Sequence, residues 1–247
     1  MPNHCSNTLT ISGITKIQWS EIAATIDSSE NDKSSFLKTF YPEPKWDNIP
    51  NQQGELPSPG NGRGCRCWSD GTQDDRWYDW RIQHWGTKWE IFDCFSDFLH
   101  EAAGTEFSLS FSTAWSPLNE KCLQEVSKHF PGALLTNYYE EEGEDFCGVT
   151  VAKNGIALDY CTELSEIREL YVRKEIPNLS QDADIYDTYQ ENELWYGFRD
   201  FLLKRLQRNA CDLIKKLGEK TPCQPECCLT LWNSYQIGIC TLPVGLA

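Results

Sequence analysis

The hexapeptide Trp85-Gly86-Thr87-Lys88-Trp89-Glu90 concentrates the residue types best suited to chemistry in this 247-residue chain. It ends a run of four indoles, Trp77, Trp80, Trp85 and Trp89, within thirteen residues. An indole offers a wide flat apolar face and one N–H donor, so such a run marks either a packed core or a stacking surface. Lys88 sets a cation among the rings, and His84 beside them is the one candidate acid or base. Thr87 and Glu90 stand at capping-box spacing, which predicts a helix starting at Thr87. A second helix is expected after Trp115, with Ser116 as N-cap and Pro117 as its first residue. If the strands before these helices run parallel, both N-termini open on one sheet edge and present free N–H groups with partial positive charge. Trp80, His84, Trp85, Thr87, Lys88, Trp89, Trp115 and Ser116 then make a candidate site for a phosphate-bearing ring, by stacking and anion capture. Capping alone also accounts for Thr87, Glu90, Ser116 and Pro117, with no ligand.

Other chemistry is sparse. His4, His100 and His129 complete the histidines, the last two placed late on expected helices where a cation suits the dipole. No G-x-S-x-G, H-E-x-x-H or P-loop pattern occurs. The acidic run Glu140-Glu141-Glu142-Gly143-Glu144-Asp145 could gather a divalent cation, although charge runs at hairpin turns are usually only solvated. Glu141 and Glu142 enter as candidate partner contacts. Twelve cysteines include the clusters Cys65-x-Cys67 and Cys223-x3-Cys227-Cys228, neither with the paired C-x2-C spacing of a zinc site. Cys94, Cys122, Cys147 and Cys211 fall within apolar patterns and read as small buried hydrophobes. No metal, no cofactor and no enzymatic turnover are expected.

The formal net charge is 22 − 37 = −15. That disfavours direct contact with a nucleic-acid backbone, where lysines and arginines must replace counterions. It favours basic partners. No apolar run approaches the ~20 residues that cross a membrane. The start, Met1-Pro2-Asn3-His4, lacks the basic and apolar regions of a signal peptide, so a cytoplasmic setting is expected.

Periodicity supplies the elements that would hold these residues. Residues 5–12 alternate, with Leu9 and Ile11 on one face, and read as a strand ended by Gly13. Trp19, Ile22, Ala23 and Ile26 recur at helical spacing, and a short helical patch follows around Phe36, Leu37 and Phe40 before Pro42. Residues 42–76 are rich in Pro, Gly, Asn, Asp and Gln and read as an irregular insertion. Its Trp46, Arg66 and Trp68 are residue types favoured at interfaces. Residues 76–83 alternate polar and aromatic, as a strand would. From Thr87 a helix is expected through Phe92, Phe95, Leu99 and Ala102 to Gly104. Residues 106–114 alternate strictly, with Phe107, Leu109 and Phe111 inward. The helix after Ser116 stops at Pro131-Gly132, and strands at 133–140 and 145–152 flank the acidic turn. Helices are expected at 163–174 and 192–217, the second ended by Gly218, and a strand at 228–240. The order argues for an α+β layer with helices on a mixed or antiparallel sheet.

Several segments follow one another in a characteristic order: Met1-Pro2-Asn3-His4-Cys5-Ser6-Asn7, Trp85-Gly86-Thr87-Lys88-Trp89, Thr113-Ala114-Trp115-Ser116-Pro117, and Phe130-Pro131…Tyr139-Glu140-Glu141…Gly143…Phe146-x-Gly148. Together they resemble the Api92-like, or YubB-like, family over roughly residues 1–158. The resemblance implies a ferredoxin-like α+β sandwich from a phage, plasmid or related mobile element, with no iron–sulfur cluster. On this reading 1–158 is the ferredoxin-like domain and 159–247 a mainly helical extension packed on it. The resemblance supplies no activity. By association with mobile-element accessory proteins, the expected role is binding a host macromolecule, in particular inhibiting a bacterial defence complex. The alternative is a sequestering protein that holds a nucleotide-like signal in the Trp/Lys-lined pocket.

Overall fold

The computed structural model describes residues 3–26, 34–59, 66–96 and 105–220. Strand β1 (His4–Ser12) leads into helix α1 (Lys16–Ile26) and the short α2 (Phe36–Phe40). A 3-10 turn (Trp46–Asn48) and a two-residue ribbon, β2 (Ser58–Pro59) with β3 (Arg66–Cys67), precede α3 (Arg76–His84). Then come β4 (Phe92–Ser96), β5 (Glu106–Ala114), α4 (Glu120–His129), β6 (Leu134–Glu141), β7 (Phe146–Lys153) and β8 (Ile156–Glu163). Helices α5 (Leu164–Glu175), α6 (Ile185–Glu191) and α7 (Trp195–Lys220) follow.

Six strands form one sheet in the order β4-β5-β1-β6-β7-β8, with every pairing antiparallel. Taken alone, β1-α1-β4-β5-α4-β6 with spatial order β4-β5-β1-β6 is the ferredoxin-like arrangement. β7 and β8 extend it on the β6 side.

Register places the core. Leu9 faces Leu109 and Ile11 faces Phe107 on β5, while Ile11 faces Leu135 on β6. These residues and Phe111 pack with Trp19 and Ile22 of α1, Leu123 and Val126 of α4, and Phe36 and Leu37 of α2 in one cluster. On the opposite face, Leu134, Val149 and Val151 are buried with Ala210, Leu213 and Leu217 of α7. β7 is thus covered on both faces, which is why it reads Val-Thr-Val-Ala with little alternation. Ser6, Thr8, Ser108, Ser110 and Ser112 share that opposite face of β1 and β5.

Four expectations are corrected. Residues 76–83 are helical: Trp80 and His84 lie one turn apart and stack at 4.3 Å with planes 9° apart, a contact a strand cannot make. No helix begins at Thr87. The Thr87 hydroxyl is held by Ala114 at the end of β5, and Glu90 caps α2 instead, so the capping box is not formed. Phe92 and Phe95 pair with Ser112 and Ser110 in β4, whose register shifts between them beside the positive φ of Asp93. The helix after Trp115 is capped by Asn119, whose Oδ1 accepts the Cys122 N–H at 2.8 Å, so Ser116 and Pro117 lie in the preceding loop. Finally, α7 continues through Gly218 to Lys220.

β8 and α6 were not anticipated, and residue 158 falls within β8. The expected strand at 228–240, Leu99 to Gly104, and Cys65, Cys223, Cys227 and Cys228 lie outside the described residues. Among the described residues no helix is long and apolar enough to cross a membrane.

Candidate functional site

The Trp85-Gly86-Thr87-Lys88-Trp89 segment splits into an inner and an outer half. In the inner half Trp85 is fully buried, and its indole N–H donates to the Tyr41 carbonyl at 2.8 Å. Arg81 lies over Trp77 and Trp85, 4.9 Å from each ring, and makes two bonds to Glu43 at 2.5 and 3.1 Å. Such a two-pronged, ring-stacked guanidinium holds its neighbours in a fixed orientation. Gly86 has φ +86°, and a Cβ there would stand 2.5 Å from the Pro117 carbonyl oxygen and 2.8 Å from the Asn119 nitrogen. Across this close approach the Asn119 N–H donates to the Trp85 carbonyl at 3.1 Å, and Asn119 Nδ2 to the Gln83 carbonyl at 3.1 Å. Thr87 is buried, its oxygen accepting the Ala114 N–H at 3.0 Å. Trp85, Gly86 and Thr87 therefore latch the end of α3 to the β5–α4 connection. Trp80 and His84 belong with them: Trp80 packs on the core and edge-on to Trp85, and His84 Nδ1 lies 2.8 Å from the Trp80 carbonyl.

The outer half faces solvent. Lys88 Nζ lies 5.5, 5.4 and 5.5 Å from the ring centres of Tyr78, Trp89 and Trp115, an ammonium enclosed by three aromatic faces. Trp89 and Trp115 stack with planes 28° apart, and Trp89 meets Phe92 edge-on. Among the described residues Lys88 has no ion-pair partner, so the rings are its stabilising contacts. Trp115 adopts φ +67°, unusual for a bulky residue, with its N–H donating to the Asn3 carbonyl at 2.9 Å. Ser116 is exposed beside it. Trp89 is 39% and Phe95 73% exposed.

The acidic tip stands at the same end of the sheet. Gly143 packs against the Asn3 side chain, the residue whose carbonyl holds Trp115. Glu141 is buried and turned inward, accepting the Gly143 N–H at 2.9 Å and also the Glu144 N–H, so it closes the turn. Glu142 remains exposed. Among the described residues no group of three His, Cys, Asp or Glu side chains is placed to hold a metal.

The geometry expected for a phosphate-bearing ring is not assembled. One of the two helix N-termini is absent, the sheet is antiparallel throughout, and Trp85 and Thr87 are submerged. Trp89, Lys88, Trp115 and Ser116 do come together. Two polar contacts are not legible in the sequence because their partners are distant in the chain. Glu90 accepts the Leu37 and Lys38 N–H groups at 2.8 and 3.1 Å, and burial pushes its carboxyl above the usual range. Tyr139 crosses Gly148 to reach Asp159, with Oη 3.1 Å from both carboxylate oxygens. Burial raises both the Tyr139 hydroxyl and the Asp159 carboxyl. Gly148 thus serves the close passage of the Tyr139 ring.

Strand order and site together define a ferredoxin-like α+β domain with two added strands and a helical continuation. Residues 84–193 match the family model described as the ferredoxin-like domain in Api92-like protein. β1, the strand between β5 and β6, lies outside the matched residues. Among solved structures, the crystal structure of a protein api92 from Yersinia pseudotuberculosis is similar at 12% identity, with TM-score 0.36, over 66% of this chain and 98% of that one. No curated protein matches.

Proposed function

We propose that the protein is a non-enzymatic binding protein that engages another protein through the aromatic rim at the end of the sheet. The observation that carries this reading is the surface array of Trp89, Trp115 and the caged Lys88. It sits on a rigid support, the inner latch and the positive-φ Trp115, yet its own cation fills the space between the rings. What remains outward is a contact face, with the indole areas and flanking charge favoured at protein interfaces. The net charge of −15 and the exposed Glu142, in the turn at the same end of the sheet, favour a basic patch on the partner. With the family resemblance to mobile-element proteins, the partner class we propose is a host protein, and inhibition of a bacterial defence complex is the specific form.

The test is affinity capture from a defence-competent bacterial host, using the full chain and its Trp89→Ala and Glu142→Lys variants, with mass spectrometry. One protein retained by the parent, released as salt rises and lost from both variants is the expected result. Equal retention by the parent and both variants refutes the assignment to the rim.

A further inference from the structure

The segment between α2 and α3 carries chemistry that the rim does not use. Its anchor is Arg76, whose guanidinium makes two parallel bonds to Asp74, each 2.9 Å. The Asp74 side chain is 1% exposed, and the Arg76 bonds hold its carboxyl below the usual range. The same guanidinium lies 5.2 Å from the Trp46 ring and 4.7 Å from the Trp68 ring, and donates to the Pro50 carbonyl at 3.2 Å. Charge is neutralised at this point and both indoles are pinned. An insertion of polar composition is thereby given a rigid floor.

Beside that floor opens a cavity of about 590 Å³, lined among others by Asn51, Gln52, Gln53, Glu55, Trp68 and Asp70. That volume lies in the range of small-molecule sites, which combine an aromatic wall with a few convergent polar groups. The lining decides the ligand class. Its one cation, Arg76, is already paired with Asp74, so an anion finds two carboxylates, Glu55 and Asp70, and no free positive charge. An ammonium ion would satisfy the carboxylates but leave the amide donors of Gln52 and Gln53 idle. Glu55 already accepts the Ser69 hydroxyl at 2.8 Å, and Asp70 Oδ1 accepts the Thr72 N–H and hydroxyl at 2.8 and 2.6 Å. Among the described residues Asp70 Oδ2 and both glutamine amides keep free hydrogen-bonding capacity. Amides donate and accept while carboxylates only accept, and a ligand hydroxyl can meet both. A sugar ring also presents a face of C–H groups that suits an indole. We propose that this cavity is a binding site for a neutral saccharide, with its ring on Trp68 and its hydroxyls shared among Gln52, Gln53 and Asp70.

The experiment uses the full chain on an array of neutral hexose and N-acetylhexosamine oligosaccharides, followed by titration of any hit by tryptophan fluorescence. Spermine and glucose 6-phosphate are the cationic and anionic comparators. Trp68→Ala tests the stacking wall. Because that change also loosens Arg76, the double variant Gln52→Ala/Gln53→Ala, on exposed side chains, tests the polar wall with the fold checked by circular dichroism. Saccharide binding weakened about ten-fold or more in both variants supports the site. Binding of spermine or the sugar phosphate in preference to neutral saccharides overturns it. So does saccharide binding that either variant leaves unchanged, or the absence of saccharide binding at millimolar concentration.

Discussion

Replacing Gly86 by alanine separates a structural glycine from a ligand-site glycine. The added Cβ meets two penalties. First, φ is +86°, where an L side chain costs about 1–2 kcal/mol. Second, the methyl would sit 2.5 Å from the Pro117 oxygen and 2.8 Å from the Asn119 nitrogen, both backbone atoms. Relief requires the β5–α4 connection to move away from Trp85. That movement opens the Asn119 N–H bond to the Trp85 carbonyl and the Asn119 Nδ2 bond to the Gln83 carbonyl, both 3.1 Å. Overpacking costs about 1–3 kcal/mol, and a lost hydrogen bond about 1 kcal/mol. The sum for Gly86→Ala, with both bonds opened, is about 4–7 kcal/mol, a large share of a typical domain stability of about 5–15 kcal/mol. Gly71→Ala is the control: its φ is +84°, but nothing lies within 4 Å of the added methyl, so only the conformational cost of about 1–2 kcal/mol applies. Urea unfolding followed by far-ultraviolet circular dichroism measures both. The expected difference is about 3–5 kcal/mol, or failure of Gly86→Ala alone to fold. Equal losses in the two variants would show that the close approach at Pro117 and Asn119 does not constrain the chain.

The two tryptophans of the same motif should part in the same assay: Trp85→Ala, fully buried, costs about 3–5 kcal/mol, whereas Trp89→Ala, at the rim, costs about 1–2 kcal/mol from its ring and cation contacts. Similar losses at both positions would contradict the inner and outer division. Glu90→Gln should change the pH dependence. Burial raises the native Glu90 carboxyl above its ordinary value of 4.5, so the native state holds the proton more tightly than the unfolded chain. The stability this confers is full below that value and is lost as pH rises through the raised native one. Parent minus variant stability should therefore fall as pH climbs above 4.5, by at most ~1.4 kcal/mol per pH unit. A flat or rising difference in unfolding titrations between pH 4 and 8 would defeat the argument.

Where neighbours along the chain decide the structure, the residues could be read directly. Leu9 and Ile11, and Phe107, Leu109 and Phe111, alternate because one sheet face is buried under α1 and α4. The stripe from Phe198 to Leu217 is helical because it covers β6, β7 and α5. One further local signal is legible: Asn154-Gly155, with φ of 50° and 78°, is the two-residue hairpin turn that pairs Lys153 with Ile156 and so creates β8. The misread segments are those whose partners are remote. Thr87 and Glu90 have capping-box spacing, but Thr87 bonds across 27 positions to Ala114 and Glu90 across 53 to Leu37. Local spacing cannot distinguish a residue that caps its own helix from one that caps another. The role of Arg76 is hidden for the same reason, since Trp46 and Trp68 reach it only after the insertion folds back.

The tryptophan-rich motif joins two roles that its composition presents as one. Trp85, Gly86 and Thr87 face inward and bind the α3 end to the β5–α4 connection through a gap too narrow for a side chain. That leaves Lys88 and Trp89 at a place where the chain must emerge beside Trp115, itself tied to β1 through Asn3. The rim is therefore positioned by the core latch, and neither half is free to move alone. A change at Gly86 should disturb the Trp89–Trp115 stacking as well as the fold. A change at Trp89 should remove contact surface while leaving the latch intact. This asymmetry follows from the direction of the hydrogen bonds: those of Trp85 and Thr87 run into the domain, while among the described residues the outward rings of Trp89 and Trp115 meet each other, Phe92 and Lys88.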